Sequence, residues 1–144
     1  MIKIKYPAHQ PKIKTTDNKE FIFDTIRKQW IMLTPEEWVR QNFLQYLVMV
    51  KSYPASLIAV EKEIKLVDLV KRFDIVVYDK SMAPWMIIEC KEMNEAINKK
   101  VLDQALRYNI SLQVPYIILT NGTYCYGFVL EGGKFKEINE LPVY

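Results

Sequence analysis

Two periodicities alternate along the chain. Val39, Phe43, Leu47 and Val50 recur at helical spacing and predict a first helix from about Pro35 to Val50. Thr34-Pro35-Glu36-Glu37 opens it, with a capping threonine, proline at the first helical position and a glutamate three residues after the cap. Ser52-Tyr53-Pro54 closes it. Three strand-like runs follow, Leu57 to Ile64, Phe73 to Tyr78 and Trp85 to Cys90, and the last two are apolar on both faces, as central covered strands are. Val101, Ala105, Tyr108 and Leu112 then form one stripe of a second helix, roughly Asn98 to Leu112. Tyr116 to Thr120 reads as a further buried strand, stopped by Asn121-Gly122. Thr123 to Leu130 and Lys134 to Ile138, joined across Gly132-Gly133, read as a closing hairpin. Before the first helix, Ile2 to Tyr6 and Glu20 to Asp24 are strand candidates separated by a polar stretch carrying Pro7 and Pro11. The expected fold is therefore α/β, with a core order of helix, three strands, helix and strand. The helix between the third and fourth of those strands implies a crossover and a parallel pair.

Length and composition narrow this picture. The chain has 144 residues, half of them hydrophobic, with no repeat or linker, so a single domain over 1–144 is expected, its core near 34–122. A net charge of +3 permits nucleic-acid contact without arguing for it. The four glycines cannot be written into a Walker A loop, and one histidine with two cysteines cannot make a structural zinc site. Two unclustered cysteines fit a reducing compartment, and the N-terminus lacks the continuous apolar core of a signal peptide. Apolar runs such as Ala83 to Ile88 fall far short of the ~20 residues that span a membrane, so no membrane contact and a cytoplasmic location are expected.

Charge inside apolar strands marks the candidate chemistry. Glu89 and Lys91 are two apart at the end of a buried run, so both leave the same strand face. A solvent-exposed ion pair at a strand end is the plain account of such residues. Asp74 weakens it, because it also enters an apolar run, Phe73-Asp74-Ile75-Val76-Val77-Tyr78. If the two strands are neighbours, Asp74 and Glu89 approach each other, and two carboxylates in contact need a proton or a divalent cation between them. Two carboxylates, a main-chain carbonyl and waters suit Mg²⁺.

Asp74 followed by Glu89-x-Lys91 resembles the PD-(D/E)xK nuclease superfamily, whose restriction-endonuclease-like core has the same element order. The resemblance is closer to the nuclease domain at the N-terminus of type I restriction enzyme R (HsdR) subunits. Five segments between Thr34 and Gly122 carry it: Thr34 to Gln41, Lys71 to Tyr78, Ile87 to Lys91, Gln104 to Tyr108 and Leu119 to Gly122. Gln104-x-x-x-Tyr108 is the most specific, because that pair on the second helix is a hallmark of the type I branch and its spacing places both side chains on one helix face. The resemblance implies a metal-dependent endonuclease that hydrolyses DNA phosphodiester bonds. Asp74, Glu89 and the main-chain carbonyl of Cys90 would hold Mg²⁺ or Mn²⁺. Lys91 would position water or stabilise phosphate charge, and Gln104 and Tyr108 would orient substrate or the lysine. DNA and other restriction-system subunits are the implied partners. A first-helix glutamate contributes to many such sites. Glu36 is preferred over Glu37 here, because Glu37 is placed to close the capping box. Phe73 replaces the proline of the family motif, and the chain reaches Tyr144 without the motor that follows this domain in R subunits. A non-catalytic nucleic-acid-binding or protein-interaction module with the same fold is the competing expectation.

The remaining candidates have plainer uses. His9 reads as a surface residue, and Cys90 and Cys125 as core. Tyr124 and Tyr126 share a strand face that packing accounts for, and Lys99, Lys100 and Arg107 fit a solvated helix face.

Overall fold

The computed structural model describes residues 1–65 and 67–144. Three short strands come first, β1 (Ile13–Thr16), β2 (Lys19–Asp24) and β3 (Gln29–Met32), in a separate antiparallel sheet of order β1-β2-β3. Helix α1 (Pro35–Gln45) follows, then β4 (Ile58–Lys65), β5 (Val70–Tyr78), β6 (Pro84–Cys90), α2 (Lys99–Asn109), β7 (Tyr116–Thr120), β8 (Cys125–Glu131) and β9 (Lys134–Ile138). The last six strands form one sheet in sequence order. Only β6 and β7 are parallel among them, with α2 as their crossover. This mixed sheet has the core order expected of a restriction-endonuclease-like fold, with an N-terminal β extension and a C-terminal hairpin.

The sheet is covered on both faces, which is why β5 and β6 carry almost unbroken apolar runs. Val39, Phe43 and Leu47 of the first helical segment pack over Ile75, Val77, Met86, Ile88 and Ile118. On the other face, Ala105 packs with Val76, Ile87, Ile117 and Leu119. The caps match the sequence signals. Thr34 Oγ1 accepts the Glu37 N–H at 3.0 Å, and Asn98 Oδ1 accepts that of Val101 at 3.0 Å. Among the described residues, no helix is long and apolar enough to cross a membrane.

Two expectations need correction. Ile2 to Tyr6 is not a strand: Ile2 is buried and its N–H reaches the Cys125 carbonyl at 2.8 Å, but the segment joins no ladder. The strands that do form beside β2 come from tight turns. Asp17 and Asn18 adopt φ 52 and φ 62, the left-handed pair that closes a two-residue hairpin, and Lys28 at φ 56 turns the chain into β3. Val50 leaves the α1 stripe because Tyr46–Val50 is a π-helical turn, closed by Lys51 N–H to Tyr46 O at 3.1 Å. The wider turn rotates Val50 outward, to 46% exposure.

Candidate functional site

The site grows from the point where β5 and β6 stop pairing. Their ladder runs from Val77 and Met86 back to Ile75 and Ile88, and the next residues along are Asp74 and Glu89. Strict alternation fails just there. Phe73 and Val76 both pack in the α2 layer while Ile75 packs in the α1 layer. Asp74 is thereby turned toward α1. The distortion extends to β4, where Glu61, lying between the Val60–Ile75 and Lys62–Phe73 pairs, adopts φ 51.

On the α1 side the central group is Arg40. Its side chain is only 6% exposed. It donates to Glu37 Oε1 at 2.8 Å, Asp74 Oδ1 at 2.7 Å, Glu36 Oε1 at 3.2 Å and Glu61 Oε1 at 3.5 Å. Burial opposes its charge, but the Glu37 and Asp74 carboxylates more than compensate and hold it firmly protonated. Asp74 Oδ2 also accepts the Cys90 N–H at 2.7 Å, which fixes the carboxylate against the main chain of Cys90.

Glu37 does not close a capping box. Its N–H takes the Thr34 cap, but its carboxylate turns inward and accepts from Arg40, from Arg27 at 3.1 Å and from Gln41 at 3.0 Å. A buried guanidinium is a stronger partner for a carboxylate than a solvated N–H at a helix start. Glu36 is about half exposed and faces Arg40. Partial burial, with the nearby Asp74 charge, raises its carboxyl above the usual range.

On the α2 side a cleft of about 380 Å³ is lined by Glu89, Lys91, Gln104 and Tyr108, with Lys71, Val101, Ala105 and Leu119. Lys71 Nζ donates to Glu89 Oε1 at 2.9 Å and to Asn109 Oδ1 at 3.2 Å, and lies 4.2 Å from the centre of the Tyr108 ring. Lys91 is less constrained, with Glu95 Oε1 at 3.8 Å.

The structure therefore gathers Glu89, Lys91, Gln104 and Tyr108 in one cleft. Asp74 is held by an α1 residue, and Asp74 and Glu89 each have their own cation from the chain. Among the described residues, no group of three or more His, Cys, Asp or Glu side chains is placed to hold a metal ion, so Glu36 is not gathered with both carboxylates. Cys90 and Cys125 are buried in the α1 layer, and burial pushes the Cys90 thiol well up and that of Cys125 to about 12. His9 is half-buried at the side of a small cavity with Phe23 and Gln45. Lys99, Lys100 and Arg107 lie on the exposed face of α2.

Sequence reasoning missed Lys71, Asn109 and the reach of Arg40. Lys71 precedes the apolar run that begins at Phe73, yet β5 begins at Val70 and includes it. Arg40 had a signal: it follows Val39 on the buried side of α1 and stands three and four residues after Glu37 and Glu36, the spacing of helical ion pairs.

Residues 35–142 match the family model described as "Type I restriction enzyme R protein N terminus". No curated protein matches the chain. A solved structure described as "cryoEM structure DrdV-DNA complex" is similar at 19% identity and a TM-score of 0.47, over 73% of this chain and 10% of that one. The chain thus spans about a tenth of the length of that neighbour.

Proposed function

We propose a nuclease role for this chain from one premise: it belongs to the type I restriction enzyme R protein N-terminal family, whose model covers residues 35–142. The reaction proposed is endonucleolytic hydrolysis of DNA phosphodiester bonds, carried out in the cytoplasm and alongside other restriction-system subunits. The observation that supports it best is the α2-side cleft, where Glu89, Lys91, Gln104 and Tyr108 meet.

Asp74, Glu89 and the main-chain carbonyl of Cys90 are all oxygen donors, the kind a hard divalent cation takes, and Asp74 must leave Arg40 for the two carboxylates to share one ion. These groups would hold Mg²⁺ or Mn²⁺. The fixed contact between Asp74 and the Cys90 N–H keeps that carboxylate beside the end of β6, the strand that carries Glu89. When bound, the ion lowers the pKa of a coordinated water and offsets charge on the scissile phosphate. Lys91 places an ammonium in the cleft, where it orients the attacking water and pairs with phosphate oxygens. The Gln104 amide and Tyr108 hydroxyl, one helical turn apart, orient the substrate or Lys91 from α2. Lys71 neutralises Glu89 in the resting protein.

Magnesium-dependent nicking of plasmid DNA tests the assignment. Lys91→Ala keeps both carboxylates, so it loses cleavage while metal-dependent stabilisation survives. Glu89→Ala removes a ligand, so both fall together. Full cleavage by Lys91→Ala sinks this active site. The pairing of Asp74 with Arg40 and of Glu89 with Lys71 favours one second reading, a nucleic-acid-binding module without catalysis. DNA binding by a wild-type protein that never nicks would establish that reading instead.

A further inference from the structure

The N-terminal sheet lies outside the matched residues 35–142, and its two faces differ. In an antiparallel ladder, directly opposed residues share a face, as do alternate residues of one strand. Lys14, Phe21 and Met32 are opposed across the three strands, and Phe23 opposes Trp30. Lys12 joins this face through the Phe23 N–H, which donates to its carbonyl at 2.9 Å, and Lys19 joins it opposite Thr16. Ile22 and Asp24 lie on the other face and are fully buried, so the lysine face is the outer one. Trp30 is 38% exposed and Met32 47%.

Charge says what this face fits. Residues 1–34 carry seven lysines and arginines against three acidic residues, a net +4, and the remainder, with 13 against 14, is net −1. The positive balance of the whole chain thus sits in this extension. The ladder positions of the outer face hold lysines and no acidic residue; Glu20, opposite Thr15, belongs to the other face. Lys14 Nζ stands 4.5 Å from the Trp30 ring centre, and Lys12 Nζ 5.9 Å from that of Phe23. A cation beside the exposed Trp30 ring on an open sheet face suits a strand whose bases are unstacked: the ring stacks on a base while ammonium groups meet phosphates. A duplex hides its base faces and cannot use the rings.

We propose that the outer face of the β1-β2-β3 sheet binds single-stranded DNA, with Trp30 as the main stacking surface and Lys12, Lys14 and Lys19 as phosphate contacts. The choice of DNA rests on the nuclease reading above; the stacking chemistry does not. Such a platform would hold an unpaired stretch of a substrate that the cleft then cuts.

Fluorescence anisotropy of a labelled 12-nucleotide oligo-dT, titrated with the full chain in EDTA, tests this. Wild type binds, and Trp30→Ala weakens binding about tenfold, the loss of one stacked base. Replacing Lys12, Lys14 and Lys19 by glutamine lowers the slope of log affinity against log salt by about 2. Replacing Lys134 and Lys136, in the hairpin on the far edge of the other sheet, leaves the affinity unchanged. Circular dichroism melts verify that each variant is folded. Oligonucleotide binding in EDTA and plasmid nicking in magnesium are read separately, so failure of the cleavage assignment and failure of this platform are separate results. Equal affinity of wild type and Trp30→Ala overturns the proposal. So does a wild-type dimer that ignores the oligonucleotide and dissociates on Trp30→Ala, since a second copy would then be the occupant.

Discussion

Arg40→Met tests whether the polar layer beneath α1 is held by one buried cation. The substitution keeps most of the side-chain volume but leaves Glu37, 6% exposed, and Asp74, 20% exposed, without the guanidinium they share. Breaking a buried ion pair from one side costs roughly 3–5 kcal/mol, because the remaining charge stays desolvated. Two features put the cost near the lower end. Arg27 and Gln41 still reach Glu37, and the buried Arg40 Nε has no hydrogen-bond partner, so its desolvation is recovered on substitution. About 3 kcal/mol on a domain of this size lowers the melting temperature by about 10 °C. The pH dependence distinguishes charge from packing. Without Arg40, the two carboxylates are desolvated charges that lack their guanidinium, and acid relieves that penalty by neutralising them. Thermal melts of both proteins at pH 7 and pH 5 read this directly: the deficit is larger at pH 7. A variant that melts with wild type, or shows the same deficit at both pH values, refutes the electrostatic account.

Asp24 should contribute in the opposite pH direction. Burial alone would raise its carboxyl, but hydrogen bonds from the Arg27 main chain, Gln41 and the Arg27 guanidinium hold it below its ordinary 3.8. Its stabilisation is therefore present above that value and lost as pH falls through the folded pKa, so Asp24→Asn is less stable at pH 7 and flatter in denaturant titrations from pH 7 to pH 3. Gly127→Ala should overpack the sheet face under the N-terminal segment, because a Cβ there would stand 2.6 Å from Ile2 Cδ1 and 3.0 Å from Ile118 Cδ1. A cost of about 1–3 kcal/mol in urea unfolding is expected, partly recovered by adding Ile2→Val, which removes the nearest atom.

How much of this could be read in advance follows from the kind of signal each part leaves. The elements from Pro35 to Ile138 were legible because each carries a period or a cap: the stripe of α1, the two-sided apolar runs of β5 and β6, the Thr34 and Asn98 caps. The N-terminal sheet was less so, because β1 and β3 have four residues each and expose most of them, too few for alternation to stand out. Asp17-Asn18 was its one strong clue, a dipeptide that tolerates positive φ. In the site, residues on one helix or strand face were placed together because spacing fixes them. The pairings of Arg40 with Asp74 and of Lys71 with Glu89 span 34 and 18 residues and depend on a break in strand alternation that no residue pattern announces.

That break ties the N-terminal extension to the core. Asp24, at the end of β2, accepts from Arg27 Nε at 2.6 Å and from Gln41 at 2.8 Å; Arg27 and Gln41 both hold Glu37. Glu37 holds Arg40, and Arg40 holds Asp74 at 2.7 Å. Each buried carboxylate in this series is neutralised by a cation that also reaches the next one, so no member is free to move without leaving a desolvated charge. Asp74 could have turned to the α2 face, where alternation would send it and where Glu89 lies. It faces α1 because the guanidinium that Glu37 already fixes there satisfies it at little further cost in side-chain entropy. Residues outside the family match thus help to decide which way a carboxylate inside it points.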